Sequence, residues 1–263
     1  MRYFILPVLL IFWVMSGCAQ QNSMIEGAAV HKGMQLVWSD DFDYPDSQLD
    51  AGWYAQNGPN THILCSRWRD NAVVENGMLY LKNKKENRGG QEWTSASIWT
   101  KKQFQYGFFE CRYKYAAATG TNNSFWMMTT GITPAEGKKF EIDINEGHYP
   151  VEMATNIHNW TDVTTDPVTG KSSHPSISKS FDLTSESAVN LGKEFHTYGL
   201  EWTRDSLIYY FDGKALRRSK NEFCHSSAPV YLSEAILTWA GTVTDAIDGT
   251  SMQVDWVRVY QEK

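Results

Sequence analysis

Cysteine is scarce in this chain, four residues in 263, and no CxxC pair or helical His pair accompanies it, which excludes the usual structural zinc motifs. No basic stripe with interleaved aromatics is present and the formal net charge is −6, which argues against nucleic acid as a partner. Charged runs are short, as on an ordinary solvated surface. Neither an internal repeat nor a long amphipathic helix can be found, so solenoids and helical bundles are set aside. The longest apolar run, Tyr3 to Met15, falls short of the roughly 20 residues that a membrane-spanning helix needs.

That run does have the length of a secretory h-region, with Arg2 before it and Ser16-Gly17-Cys18 after it. The ending Met15-Ser16-Gly17-Cys18 resembles a bacterial lipobox, with Leu more usual than Met at its first position. Residues 1–17 are therefore expected to be a lipoprotein signal peptide and Cys18 the lipidated residue, with a plain cleaved signal as the alternative. Residues 18–33, small and polar without periodicity, would be a flexible tether, and residues 34–263 the folded domain. The expected location is the bacterial envelope, lipid-anchored at the outer membrane and facing the periplasm or the surface, with the domain a monomer. Once Cys18 is set apart, Cys65, Cys111 and Cys224 permit at most one internal disulfide; all three as small buried apolar residues is the other reading.

Aromatics are plentiful by contrast, 14% of residues with eleven Trp. Surplus Trp and Tyr suit the stacking of sugar rings, although many would simply pack sheets. From about Met34 the chain runs in strand-sized apolar segments separated by turn residues. Two hairpins are marked by Asn76-Gly77 and Asp212-Gly213 between apolar flanks. Many short strands in one unbroken domain predict an all-β, antiparallel two-sheet sandwich of jelly-roll type, with Thr161 to Pro175 and Thr184 to Gly192 as excursions over its rim.

The run Phe140-Glu141-Ile142-Asp143-Ile144-Asn145-Glu146 alternates as a β-strand. Glu141 and Asp143 share a face, whereas Glu146, five residues beyond Glu141, falls on the other unless a β-bulge between Asp143 and Glu146 absorbs one residue. Three like charges on one face repel. Retaining glycoside hydrolysis is a reaction that needs such a set: a nucleophile and an acid/base with carboxyl groups about 5–5.5 Å apart. Asp143 between them can orient the nucleophile, and the crowding raises at least one pKa. A calcium cluster is the competing reading, but calcium loops favour Gly and Asn over Ile and Phe.

These residues resemble the ExDxxE signature of glycoside hydrolase family 16, in its β-bulge branch. Residues Asp70 to Leu79, Tyr106-Gly107-Phe108-Phe109-Glu110-Cys111-Arg112, Ser124-Phe125-Trp126-Met127-Met128, Phe195 to Trp202 and Val254 to Tyr260 are similar to that family's segments in the same order. The resemblance implies a concanavalin A-like sandwich with an open concave cleft and endo attack on β-linked glucans or galactans, without a required cofactor. It implies Glu141 as nucleophile, Asp143 as its orienting partner and Glu146 as general acid/base. Trp126 would wall the cleavage subsite, and Asn71 would bind a sugar hydroxyl, a role that Arg69 or Trp68 could share. Alternation on the next strand puts Asn156, His158 and Trp160 on one face, with His158 and Trp160 expected toward the cleft and a satisfied sheet histidine as the other reading of His158. Trp239 stands between core and distal subsite; Trp38, Trp202 and Trp256 read as core. The family's calcium would fall to Asp41, Asp43 and Asp255, as a structural ion only.

Substrate is less legible. Thr155-Asn156-Ile157-His158 and Ser124-Phe125-Trp126 lean toward agarases, porphyranases and carrageenases, and Arg67, Arg69, Lys138 or Lys171 could meet a sulfated sugar. The continuation Asn145-Glu146-Gly147-His148-Tyr149-Pro150 departs from the family's more usual one. Transglycosylation at the same site and a non-catalytic glycan-binding lipoprotein are the alternatives; the intact acids argue against the second.

Overall fold

A computed structural model describes residues 33–130, 138–183 and 189–263. The expected signal peptide, Cys18 and almost all of the tether lie outside these residues. Among the described residues no helix is long and apolar enough to cross a membrane.

Two sheets face each other. The first runs, in spatial order, Lys214–Lys220, Ser206–Phe211, His196–Trp202, Gly107–Lys114, Ser251–Glu262, Met78–Lys82 and Ala72–Glu75, with Met34–Asp40 also pairing on Ser251–Glu262. The second runs Lys179–Asp182, Glu152–Asn159, Phe140–His148, Thr121–Met128, Val230–Ile236, Ser97–Thr100 and Trp53–Ala55. All pairings within these two sheets are antiparallel. The exception lies in a small third sheet, where Cys65–Arg67 runs parallel to Gln91–Ser95. Both marked hairpins form, and their turn residues sit at positive φ (Asn76 53°, Gly77 70°, Asp212 46°, Gly213 76°), as a two-residue type I′ connection requires.

The core fills the space between the sheets because each strand buries alternate residues. Phe140, Ile142 and Ile144 of the acid-bearing strand are fully buried, as are Phe125 and Met127 beside it. They meet Phe109, Cys111, Tyr113, Val257 and Val259 from the opposite sheet. Each such side chain contributes about 1.5–3 kcal/mol by leaving water, so the inward residues of the acid strand anchor what its outward residues do. Cys65, Cys111 and Cys224 are free and buried, which settles the open alternative in favour of packing. Trp202 is buried and Trp38 packs on the core's edge. Trp256 differs from the expectation: it is half-buried on the outer side, with the Arg258 guanidinium 4.1 Å from its ring centroid.

Candidate active site

The acid strand is bulged where the carboxylate spacing demands it. Against Glu152–Asn159, Asp143 pairs with Asn156 but Glu146 pairs with Ala154, so three steps on one strand face two on the other. On the opposite flank, Trp126 pairs with Asp143 while Phe125 pairs with Asn145, skipping Ile144. One residue is absorbed. Ile144 stays in the core, and Asn145 turns inward to donate to the hydroxyls of Tyr113 at 2.5 Å and Tyr115 at 2.7 Å. Glu146 thereby joins Glu141 and Asp143 along a cleft of about 390 Å³.

Each acid has its own partner. Trp160 donates its indole N–H to Glu141 Oε2 at 2.7 Å, and Asn122 donates its amide to Glu146 Oε1 at 3.0 Å. His158, opposite Glu141 in register, brings Nε2 to 3.2 Å from Asp143 Oδ2. Trp126 stacks on Tyr231 with centroids 4.2 Å apart and donates to Ser233 Oγ at 3.0 Å, which fixes its ring beside Asp143.

Burial, with the adjacent Asp143 carboxyl second, pushes Glu141 up to about 8. Burial, with Glu146 second, pushes Asp143 well above the carboxylate range. Crowded and desolvated, the pair holds a proton near neutral pH. Asp143 is the deeper group, 2% exposed, whereas Glu141 receives an indole N–H that favours its charged form. The crowded pair thus shares a proton, and the Trp160 indole favours the charged form of Glu141. Glu141, Asp143 and His158 offer ligand atoms within 4.8 Å of one another, a set a divalent metal can also use. In this set Glu141 accepts the Trp160 indole hydrogen and His158 faces Asp143, an arrangement that also serves proton transfer.

Several expected sugar contacts fall elsewhere. Asn71 is fully buried, its amide donating to Lys82 O and Thr94 Oγ1 and its oxygen accepting from Lys84 Nζ. A polar group that saturated pins the strands beneath the cleft. Arg69 is tied to Asp46 and Asp50 at 3.3 and 2.7 Å, and Trp68 donates to Ser66 Oγ while stacking under Arg88; neither lines the cleft. Trp239, 59% exposed, does line it, together with a second cavity of about 590 Å³ that also holds His148, Glu152 and Asp182. Of the residues expected for calcium, Asp41 pairs with Arg258 and Asp255 with Arg112. Among the described residues, Asp41, Asp43 and Asp255 do not bring ligand oxygens within 4.8 Å of one another. Asn122, Ser124 and Tyr231 were not singled out from sequence. Period two from Trp126 back through Ser124 to Asn122 carried the signal for the first two; Tyr231 had none.

The sequence profile of glycosyl hydrolases family 16 matches residues 60–258. The chain belongs to glycosyl hydrolase family 16. Among its relatives in that family is a β-glucanase from Rhodothermus marinus, 29% identical over 94% of this chain and 92% of the relative. A β-glucanase from Fibrobacter succinogenes is 28% identical over 66% of this chain, which spans about half (49%) of that relative's length. Among solved structures, SCLam, a non-specific endo-β-1,3(4)-glucanase of the family, superposes with a TM-score of 0.72 at 28% identity, covering 90% of this chain and 95% of the other. The sandwich and the family expected from sequence are thus those found.

Proposed function

We propose that this family 16 glycosyl hydrolase is an endo-acting, retaining β-glycosidase whose first substrate class is β-glucan. The observation that carries the reading is the bulge that turns Glu146 onto the face of Glu141 and Asp143 inside the cleft. In this reaction the Glu141 carboxylate attacks the anomeric carbon while Glu146 gives its proton to the departing glycosidic oxygen. Glu146, now a carboxylate, then takes a proton from water as that water attacks the same carbon and frees Glu141. Asp143 stays protonated beside the nucleophile, and Trp126 supplies an apolar wall at the cleavage subsite.

Endo attack is supported by the trough's extent: Trp239 borders both cavities, so the channel continues past the acids. Neutral glucan is favoured over sulfated galactan because, of the four basic residues considered, only Arg67 lines the cleft. Arg69 is held by Asp46 and Asp50, and Lys138 pairs with Asp162. The β-glucanases among the relatives agree with this class. A screen over laminarin, mixed-linkage glucan, agarose, porphyran and carrageenan, with products sized, tests the substrate. Early NMR of the released anomeric carbon should show retention, and inversion would overturn Glu141 as nucleophile. Added acceptor sugars distinguish transfer from hydrolysis. The lipobox-like Ser16-Gly17-Cys18 supports an envelope anchor; Cys18→Ala should move the protein from the membrane to the soluble fraction.

A further inference from the structure

His174 belongs to no strand and no motif marks it, yet it touches both side chains that serve the acids. Its Nε2 lies 2.7 Å from His158 Nδ1, and its ring packs on Trp160 with centroids 3.7 Å apart. His158 faces Asp143 Oδ2 through its other nitrogen, and Trp160 donates to Glu141. A single loop residue therefore braces the partner of each acid in the Glu141–Asp143 pair.

We propose that His174 is a positioning residue for the reaction: it fixes His158 as the Nδ1–H tautomer and so keeps the shared proton on Asp143 and the charge on Glu141. This rests on the reading of Glu141 as nucleophile and Asp143 as its partner. The argument is one of hydrogen counting. Two imidazole nitrogens 2.7 Å apart share one hydrogen, and which ring carries it fixes the tautomer of His158. With hydrogen on His158 Nδ1, donated to His174 Nε2, the His158 Nε2 lone pair faces Asp143 Oδ2, and only a protonated Asp143 satisfies it. With hydrogen on His158 Nε2 instead, Asp143 would be held as a carboxylate and the proton would pass to Glu141. Asp143 Oδ2 is buried and makes no aligned hydrogen bond among the described residues; the His158 Nε2 that faces it at 3.2 Å therefore bears directly on its state. Burial and the His158 ring hold His174 below the usual imidazole range, which favours a neutral ring with one nitrogen free to accept. Among the described residues, Glu146 and, from the opposite sheet, Tyr209 also lie within electrostatic reach of Asp143.

The test compares three variants of the intact protein on the substrate that the wild type cleaves. His174→Phe keeps a ring against Trp160 but offers no acceptor, His174→Ala removes both, and His174→Gln restores an acceptor oxygen. Phe and Ala should lower kcat about tenfold or more with KM little changed, and should move the acid limb of the kcat profile to higher pH, because Glu141 then holds the proton. Gln should recover part of the loss. Long-range nitrogen–proton NMR should report His158 as Nδ1–H in the wild type and Nε2–H in the Phe and Ala variants. An unchanged kcat and acid limb in Phe and Ala, or an unchanged His158 tautomer, would overturn the role of His174 while leaving the enzyme reading intact. A wild type inactive on every glycan would instead sink the functional reading, and this role with it.

Discussion

Trp160 donates its indole N–H to Glu141 Oε2 at 2.7 Å, from the residue just beyond a strand whose His158 pairs in register with Glu141. A hydrogen bond to one form of a carboxylate is a statement about charge. The indole can only donate, so it favours Glu141 ionised against the burial that opposes it. Replacing Trp160 with Phe keeps the ring and removes the donor. Turnover on the preferred glycan should fall about 10-fold to 100-fold, with the melting temperature nearly unchanged because Trp160 is only half-buried. A variant with wild-type kcat would show that the contact has no part in activating Glu141.

The same burial makes Glu141 a liability for stability. Its carboxyl is pushed up to about 8 in the folded protein against an ordinary 4.5, so the folded Glu141–Asp143 pair binds a proton more tightly than the unfolded chain does. The contribution is fully present below about 4.5 and is lost as pH rises toward 8. Glu141→Gln carries no charge at any of these values. The variant should therefore be more stable than the wild type by a margin that widens across that window, reaching about 1–3 kcal/mol near neutrality, while its turnover falls by orders of magnitude. Paired denaturation curves at acid and neutral pH check the sign; a margin that shrinks with rising pH would contradict it.

How far the sequence reached follows from the range of the forces involved. Period-two alternation and the Asn-Gly and Asp-Gly turns are local, and the strands and hairpins they marked are found. The bulge was legible because the separation of Glu141 from Glu146 could be reconciled with one face only by an extra residue. Asn71 misled because an asparagine next to a family-like strand reads alike whether it meets sugar or saturates Lys82, Lys84 and Thr94 inside the protein. That difference is set by residues brought together from distant positions. Trp256 erred for a related reason: an aromatic on a framework strand has two faces to choose from, and the bulge between Val254 and Trp256 changed which one it took. His174 was invisible since its importance comes from the loop's path back to His158.

Asn145 tests the bulge itself. Its amide supplies both hydrogens to the hydroxyls of Tyr113 and Tyr115, which are buried to 0% and 1% exposure. Asn145→Leu would leave two desolvated hydroxyls short of a donor, at about 1–3 kcal/mol each. The expected result is a loss of about 2–4 kcal/mol in chemical denaturation, together with reduced turnover because Glu146 is the next residue. Adding Tyr113→Phe should recover part of the stability, since the orphaned group goes with it. If the double variant loses the full sum of the single effects, the network is not what holds the inward turn.

Trp239 separates binding from chemistry. It is 59% exposed, meets His148 edge-on with centroids 5.1 Å apart, and borders both cavities, yet makes no contact with Glu141, Asp143 or Glu146 among those described. Trp239→Ala should leave the fold and the cleavage step intact and remove a platform for a sugar ring some distance from the bond being cut. That is worth about 1–3 kcal/mol for an aromatic stacked on a ring, or roughly fivefold to 150-fold in KM, with kcat nearly constant on long chains. Short oligosaccharides that cannot reach Trp239 should be cleaved equally well by variant and wild type. A loss of kcat on every chain length would instead put Trp239 in the support of the acid strand, acting through His148.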